Sequence, residues 1–296
     1  MHETICFIGF GEAGQAIARG LRGEGVHRMR AYDLLFDGAG SLRPKTGELG
    51  VKIARDHADA VRGATLIFLA VTAKSSLEAA QSCLPGLEAG QLFVDINSVA
   101  PQKKRDTAAL VAPSGALYVD AAVMAPVAPS LHKVPILASG AAAREFASRA
   151  GALGMKVEAF GEEVGAASAV KMFRSIMVKG IEALMVESML ASSEYGVERR
   201  VLASLQESFP GLDWERLSGY MLERVLSHGQ RRADEMREVA ATLEAMELEP
   251  VMAAATARRQ QWLADLMVKH PRTEDRAALL AAIREALGAS ARKKVA

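Results

Sequence analysis

The chain has 296 residues, of which 50% are apolar and 24% charged, with a formal net charge of +1. That length allows two domains with sizeable cores, and the near-neutral charge gives no electrostatic case for a nucleic-acid partner. The apolar run from Ala64 to Ala73 is far short of the roughly 20 residues that cross a bilayer, so no membrane association is expected.

At the N-terminus, Glu3 precedes the first apolar segment and no basic run does, so the segment does not read as a signal peptide. Strand-like β-branched or apolar runs then follow at Thr4–Ile8, Met29–Asp33, Val51–Ile53, Thr65–Val71, Leu92–Ile96, Ala116–Val123, Pro135–Ala138 and Met155–Phe160. Helical segments are expected over Gly14–Gly23, Lys74–Leu84, Pro101–Val111 and Ala141–Leu153. This alternation predicts a doubly wound, mainly parallel sheet with helices on both faces, a Rossmann-type α/β domain over residues 1–161. Cys6 falls in a strand and Cys83 in a helix. Both read as buried free thiols in a reducing, cytoplasmic setting. The six histidines form no pair at helical spacing with a nearby thiolate, and no metal site is expected.

The first strand runs into Gly9-Phe10-Gly11-Glu12-Ala13-Gly14 and then a helix opening, QAIARGL. In that context GxGxxG is a dinucleotide-binding turn. Gly9 permits the tight turn, Gly11 lets backbone approach a pyrophosphate, and Gly14 allows close packing of helix on strand. The helix start offers N–H donors and positive partial charge. Asp33 ends the next strand and is placed to accept from an adenosine ribose hydroxyl. A 2′-phosphate would be repelled there and Leu34-Leu35 follow rather than an arginine, so NAD is expected over NADP. Val71-Thr72-Ala73 and Asp95-Ile96-Asn97-Ser98 follow strands whose carboxyl ends should border the nicotinamide, with Val71, Thr72 and Asn97 as cofactor contacts.

From Glu162 to Tyr195 the chain has no proline, is apolar on nearly every face, and stops at Gly196. It reads as one long, largely enclosed helix. Lys171, Ser175 and Lys179 fall on one stripe of it, at i, i+4 and i+8. Further helices are expected near 198–208, 213–227, 230–247, 250–269 and 273–287, followed by a frayed basic tail, so residues 162–296 form an all-α domain.

The motifs GFGEAG at the start, DINSVAP at 95–101, DAAVMAP at 120–126 and GAASAVKMFRS at 165–175 resemble those of the β-hydroxyacid dehydrogenase family, which includes 3-hydroxyisobutyrate and 6-phosphogluconate dehydrogenases. KMFRSIMVKG and HGQRRADEM are similar to a branch whose C-terminal domain has no assigned function. The resemblance covers most of the chain. It implies a Rossmann domain, a long connecting helix, an all-helical domain that closes the site, and a homodimer. It also implies that Lys171 is the acid/base for a hydride transfer between the nicotinamide and a small hydroxy acid or related alcohol/carbonyl substrate. Burial and a second cation, Lys179, would lower the proton affinity of that amine. Asn97-Ser98 would correspond to the Ser-Thr pair that meets nicotinamide and substrate, so Ser98 is a candidate substrate contact.

Several departures from the family pattern bear on the substrate. Ser175 stands where an asparagine is usual. Met124-Ala125-Pro126 replaces the Ser-Gly-Gly that holds a substrate carboxylate, and Pro126 has no N–H. Val178 and Lys179 stand where the decarboxylating members carry glutamate, so decarboxylation of 6-phosphogluconate is not expected. Arg232 approximately matches a family lysine and is a candidate partner for a substrate carboxylate, with His228 one turn before it. Two other readings are compatible with the sequence: an imine reductase on the same architecture, and a non-catalytic dinucleotide-sensing protein.

Overall fold

The computed structural model of the chain describes residues 3–37 and 41–295, with side chains described only as far as Gly288. Met1 and His2, at the head of the segment read as having no signal peptide, lie outside those residues, as does Ala296. The chain divides into two compact units, Met1–Met172 and Phe173–Ala296. The long helix starts inside the first unit, so the division falls beyond residue 161.

In the first unit the order is β1 (Ile5–Ile8), α1 (Glu12–Gly23), β2 (Met29–Tyr32), α2 (Arg43–Leu49), β3 (Lys52–Ile53), α3 (His57–Val61), β4 (Leu66–Leu69), α4 (Ser76–Cys83) and β5 (Leu92–Asp95). There follow α5 (Pro101–Val111), β6 (Leu117–Val123), α6 (Val127–Ser130), β7 (Ile136–Ser139), α7 (Ala143–Gly151), β8 (Val157–Gly161) and the start of α8 (Ala166–Glu194). Among the described residues, eight strands form one sheet in the order β3-β2-β1-β4-β5-β6-β7-β8. Every pair is parallel except β6 with β7, which is antiparallel. Each strand matches a run read from the sequence with ends differing by a residue or two; β7 and β8 extend one residue further, to Ser139 and Gly161.

Both faces of the sheet are covered, as a parallel sheet requires. Ile5, Phe7, Phe68, Val94 and Val119 pack on one face with Ile17 and Leu21 of α1 and Phe146 of α7. Cys6, Ile8, Ile67, Leu69, Phe93 and Tyr118 pack on the other with residues of α3, α4 and α5. The free thiols of Cys6 and Cys83 are buried in this second layer. Arg149 of α7 clamps Glu3 with two bonds, Nε to Oε1 at 2.9 Å and Nη2 to Oε2 at 2.8 Å, which fixes the residues leading into β1.

Register decides where the chemistry falls. Tyr32, Ile8, Leu69, Asp95, Asp120, Ser139 and Gly161 pair successively across seven strands and form one transverse row. The Gly9 turn, Asp33, Ala70 and Ile96-Asn97 all come immediately after that row, at the carboxyl edge of the parallel strands. β7 and β8 run the other way, so their last residues come back to the same row and deliver the chain there to start α8.

In the second unit α8 continues, followed by α9 (Glu198–Ser208), α10 (Trp214–Ala245), α11 (Val251–Asp265) and α12 (Arg276–Val295). Met185, Val186, Met189, Leu222, Val225, Leu263, Leu279 and Ile283 are in its apolar core. Two sequence expectations are corrected here. The helices read over 213–227 and 230–247 are one, α10, because Gly229 does not end a helix but is a point of close packing. A Cβ there would lie 2.9 Å from the Gln260 carbonyl oxygen of α11 and 3.2 Å from the Ala264 Cβ. The tail read as frayed continues α12 to Val295. No helix among the described residues is long and apolar enough to cross a membrane.

Candidate active site

The glycine turn has the shape its sequence calls for. Gly9 has φ +92°, and a side chain there would overlap the Ala70 carbonyl of the neighbouring strand end. A Cβ on Gly14 would sit 2.8 Å from the Gly9 carbonyl oxygen, whereas one on Gly11 would meet nothing within 4 Å. The turn is therefore pinned from below at Gly9 and Gly14 and open above Gly11. Helix α1 has no side-chain cap, and its first bond runs from Gln15 N–H to the Gly11 carbonyl at 3.0 Å. The N–H groups before Gln15 thus have no partner within the helix. Glu12 is exposed at this end, and Phe10 is buried beneath it.

Asp33 closes the turn from the side. Its Oδ2 accepts from Phe10 N–H at 2.6 Å, and its Oδ1 from Leu35 N–H at 2.8 Å. A carboxylate has about four acceptor sites, so a ribose hydroxyl still finds lone pairs. An open glycine turn, a helix end with unused donors and an acceptor at the end of β2 together fit a dinucleotide. The first arginine after Asp33, Arg43, donates to the Phe36 carbonyl at 2.9 Å and to Asp37 at 2.6 Å.

At the ends of β4 and β5 the other expected residues fall beside this turn. Val71 is half-buried, and its Cγ1 would meet a Cβ on Gly9 at 2.9 Å. Thr72 Oγ1 donates to Ser75 Oγ at 3.1 Å. Asn97 is buried; its N–H goes to Asp95 Oδ1 at 2.9 Å and its amide nitrogen to Ser76 Oγ at 3.1 Å. The Asn97 Oδ1 is buried without a hydrogen-bond partner among the described residues. Such an orphaned acceptor is costly unless a ligand or water meets it. Ser98 is exposed, as are Ala125 and Pro126, and the Met124 N–H is taken by the Pro135 carbonyl at 2.9 Å.

Sequence reading did not find the charged cluster under these loops. Asp95 and Asp120 are adjacent in the transverse row and fully buried. Lys104 of α5, also fully buried, places its Nζ 3.1 Å from Asp95 Oδ1, 3.4 Å from Asp120 Oδ1 and 2.6 Å from the Asp95 carbonyl. Tyr118 donates its hydroxyl to Asp95 Oδ2 at 2.8 Å; burial, then the Asp95 charge, push that phenol well above its ordinary range. Asp120 caps α8. Its Oδ2 accepts from Gly165 N–H at 3.1 Å and Ser168 N–H at 3.0 Å, and its Oδ1 from Ser168 Oγ at 2.5 Å. Ser139 adds an acceptor for Ala167 N–H at 3.0 Å and donates to Asp120 at 3.1 Å. Lys171 stands one turn after Ser168, half-buried, in the first unit.

In the second unit, Ser175 is half-buried. Lys179 is buried with its Nζ 2.7 Å from Glu235, whose other oxygen lies 2.6 Å from Arg231. Arg232 is buried against Glu182, with its Nε left without a partner among the described residues. His228 lies on the same helix, where burial, then Arg224 and Arg231, lower its proton affinity. A cleft of about 490 Å³ between α10 and α11, lined by Arg237, Trp262 and Asp265 among others, includes none of the residues singled out above. No cluster of candidate metal ligands occurs among the described residues.

Residues 4–121 match the family described as coenzyme F420-dependent NADP oxidoreductase, and residues 193–263 match a domain of unknown function, DUF1932. A conserved hypothetical protein from Sinorhizobium meliloti is 39% identical over 97% of each chain, with a TM-score of 0.81. A second conserved protein, described as structurally similar to 3-hydroxyacid dehydrogenases, is 32% identical over 88% of this chain and 96% of its own, with a TM-score of 0.74. The chain belongs to the β-hydroxyacid dehydrogenase family, in the branch with this C-terminal domain. The fold of the family extends to the Mycobacterium tuberculosis 3-hydroxyisobutyrate dehydrogenase, at 17% identity, 96% and 99% coverage and a TM-score of 0.75. These similarities support a dinucleotide-dependent oxidoreductase.

Proposed function

We propose that this member of the β-hydroxyacid dehydrogenase family is a cytoplasmic, NAD-dependent oxidoreductase. It interconverts a small hydroxy acid, or a related alcohol, with its carbonyl form. The observation that carries the reading is the pairing, in one unit, of the Asp33-closed glycine turn with a half-buried Lys171 on a helix anchored at the same sheet edge. The dinucleotide supplies the hydride acceptor or donor. Gly9, Gly11 and Gly14 shape its phosphate seat, and the start of α1 donates to it. Asp33 accepts from the ribose, Val71 and Thr72 border it, and Asn97 offers its unmet Oδ1 at the nicotinamide end. The Lys171 amine takes the proton from the substrate hydroxyl in oxidation and returns it in reduction.

NAD is favoured because the Asp33 carboxylate already stands at the end of β2, and its charge opposes a 2′-phosphate. On the substrate side, Pro126 has no N–H and the Met124 N–H is already bonded. The turn over Met124, Ala125 and Pro126 therefore offers little to a carboxylate, and the substrate headgroup meets Ser98 and apolar surface instead. Ser175 takes the place of the usual asparagine as a short hydroxyl partner one turn beyond Lys171. Arg232, whose Nη2 bonds Glu182 while its Nε has no partner among the described residues, is the candidate partner for a substrate carboxylate. Lys179 ties α8 to α10 through Glu235.

The test is Lys171→Ala assayed for substrate-dependent NADH formation, alongside fluorescence titration with NADH. Turnover is expected to disappear while NADH binding stays within about twofold. A fully active alanine variant excludes the role. An imine reductase would favour cyclic imines over keto acids in the same assay, and a dinucleotide sensor would bind NADH tightly without turning over any of a broad substrate panel.

A further inference from the structure

Two aspartates side by side on one sheet face, fully buried, share a single ammonium, so with both ionised the cluster holds one negative charge in excess. Burying such a charge is costly unless it is paired and hydrogen-bonded. The positive end of α8 takes part of the excess, since Asp120 accepts from the first free N–H groups of that helix. The carboxylate bonds Ser168, and Ser168 and Lys171 are three residues apart on one helix, with Cβ atoms about 6 Å apart. Lys104 also bonds the Asp95 carbonyl, and Asp95 bonds the Asn97 N–H. One cation thus ties the turn presenting Asn97 to the carboxylate that caps the helix presenting Lys171.

We propose that the Lys104–Asp95–Asp120 cluster is the positioning device of the active site: it fixes the start of α8, and its excess negative charge sets the reactivity of the Lys171 amine. The proposal rests on the reading of Lys171 as the acid/base. Asp120 and Lys104 are positioning residues, acting through Ser168 and the helix end rather than on the substrate.

The sign of two substitutions separates this from a merely structural role. For scale, a unit charge at a separation of about 10 Å and an effective dielectric near 20 changes the proton affinity of any amine by roughly one pH unit, or about tenfold in reactive neutral amine at fixed pH. Full-length protein is acylated with acetic anhydride at one pH, and the modification of Lys171 is quantified by mass spectrometry. Asp120→Asn removes negative charge and is expected to speed acylation of Lys171 up to about tenfold. Lys104→Met removes positive charge and is expected to slow it by a similar factor. The double variant restores the original charge count and is expected to return to the wild-type rate. Loosening of the helix start alone would accelerate all three, and that result, or no change in any, overturns the proposal. If Lys104→Met does not fold, the double variant still decides, because loosening makes it faster than wild type and charge restoration does not. If Lys171→Ala keeps full turnover while the opposed rates are found, the catalytic reading fails and the electrostatic coupling stands.

Discussion

Asp33 shows how much one side chain can settle. With Phe10 N–H and Leu35 N–H already on its two oxygens, it is held at the end of β2, where the proposed ribose contact would meet it. Charge-assisted hydrogen bonds are each worth about 1.5–3 kcal/mol. Asp33→Ala should therefore weaken NADH binding about tenfold to a hundredfold and erase discrimination against NADPH, as read by parallel fluorescence titrations. Glu3 illustrates a different use of charge. Burial alone would raise its pKa, but hydrogen bonds from Arg149 and Thr65 outweigh burial and hold it below its usual 4.5. A carboxylate depressed on folding stabilises the protein fully above its unfolded value, and that stabilisation is lost as the pH falls through the folded one. Arg149→Met should thus lower the melting temperature at neutral pH and shrink the difference from wild type in strongly acidic buffer. The glycine turn and Asp33 were legible because their logic is local, within one strand–turn–helix. Lys104, Asp120, Ser139 and Ser168 were not, because only strand register brings them together, and Asp120 meets Ser168 across 48 residues.

At the scale of elements, the strands were readable because each is a short apolar run bounded by turn residues. The error at α10 has a simple origin. His228-Gly229 resembles a helix stop in one dimension, but in three the missing side chain lets α11 approach. A glycine inside a helix is ordinarily improved by alanine, by about 1 kcal/mol. At Gly229 the Gln260 carbonyl is in the way, and overpacking of this kind costs about 1–3 kcal/mol. Gly229→Ala should therefore lower the denaturation midpoint of the protein without touching NADH affinity. An increase in the midpoint would mean that α11 yields freely.

At the scale of the molecule, the cores are separate for the two units: the first has layers on both sides of its sheet, the second a helical cluster. Anything that binds only the native state raises stability by mass action, by about 2.7 kcal/mol at a hundredfold excess over Kd. NADH at that excess should lift the melting transition by about 5 °C and slow amide exchange around β1, β2 and β4, while leaving α9 and α12 unaffected. A homodimer is expected in solution, and light scattering should then give twice the 31.5 kDa of one chain.

The reversed direction of β7 and β8 has a consequence in time as well as in space. The cap on α8 needs Asp120, Ser139 and the Gly165 turn assembled together, and Asp120 and Gly165 lie 45 residues apart. Closing so long a loop becomes favourable only when neighbouring contacts already hold the chain. In pulse-labelled refolding, protection of the Gly165 and Ser168 amides should therefore appear after that of β5, β6 and β7, whose pairings close shorter loops. The helix start that carries Lys171 thus sets only after the strands that cap it have paired.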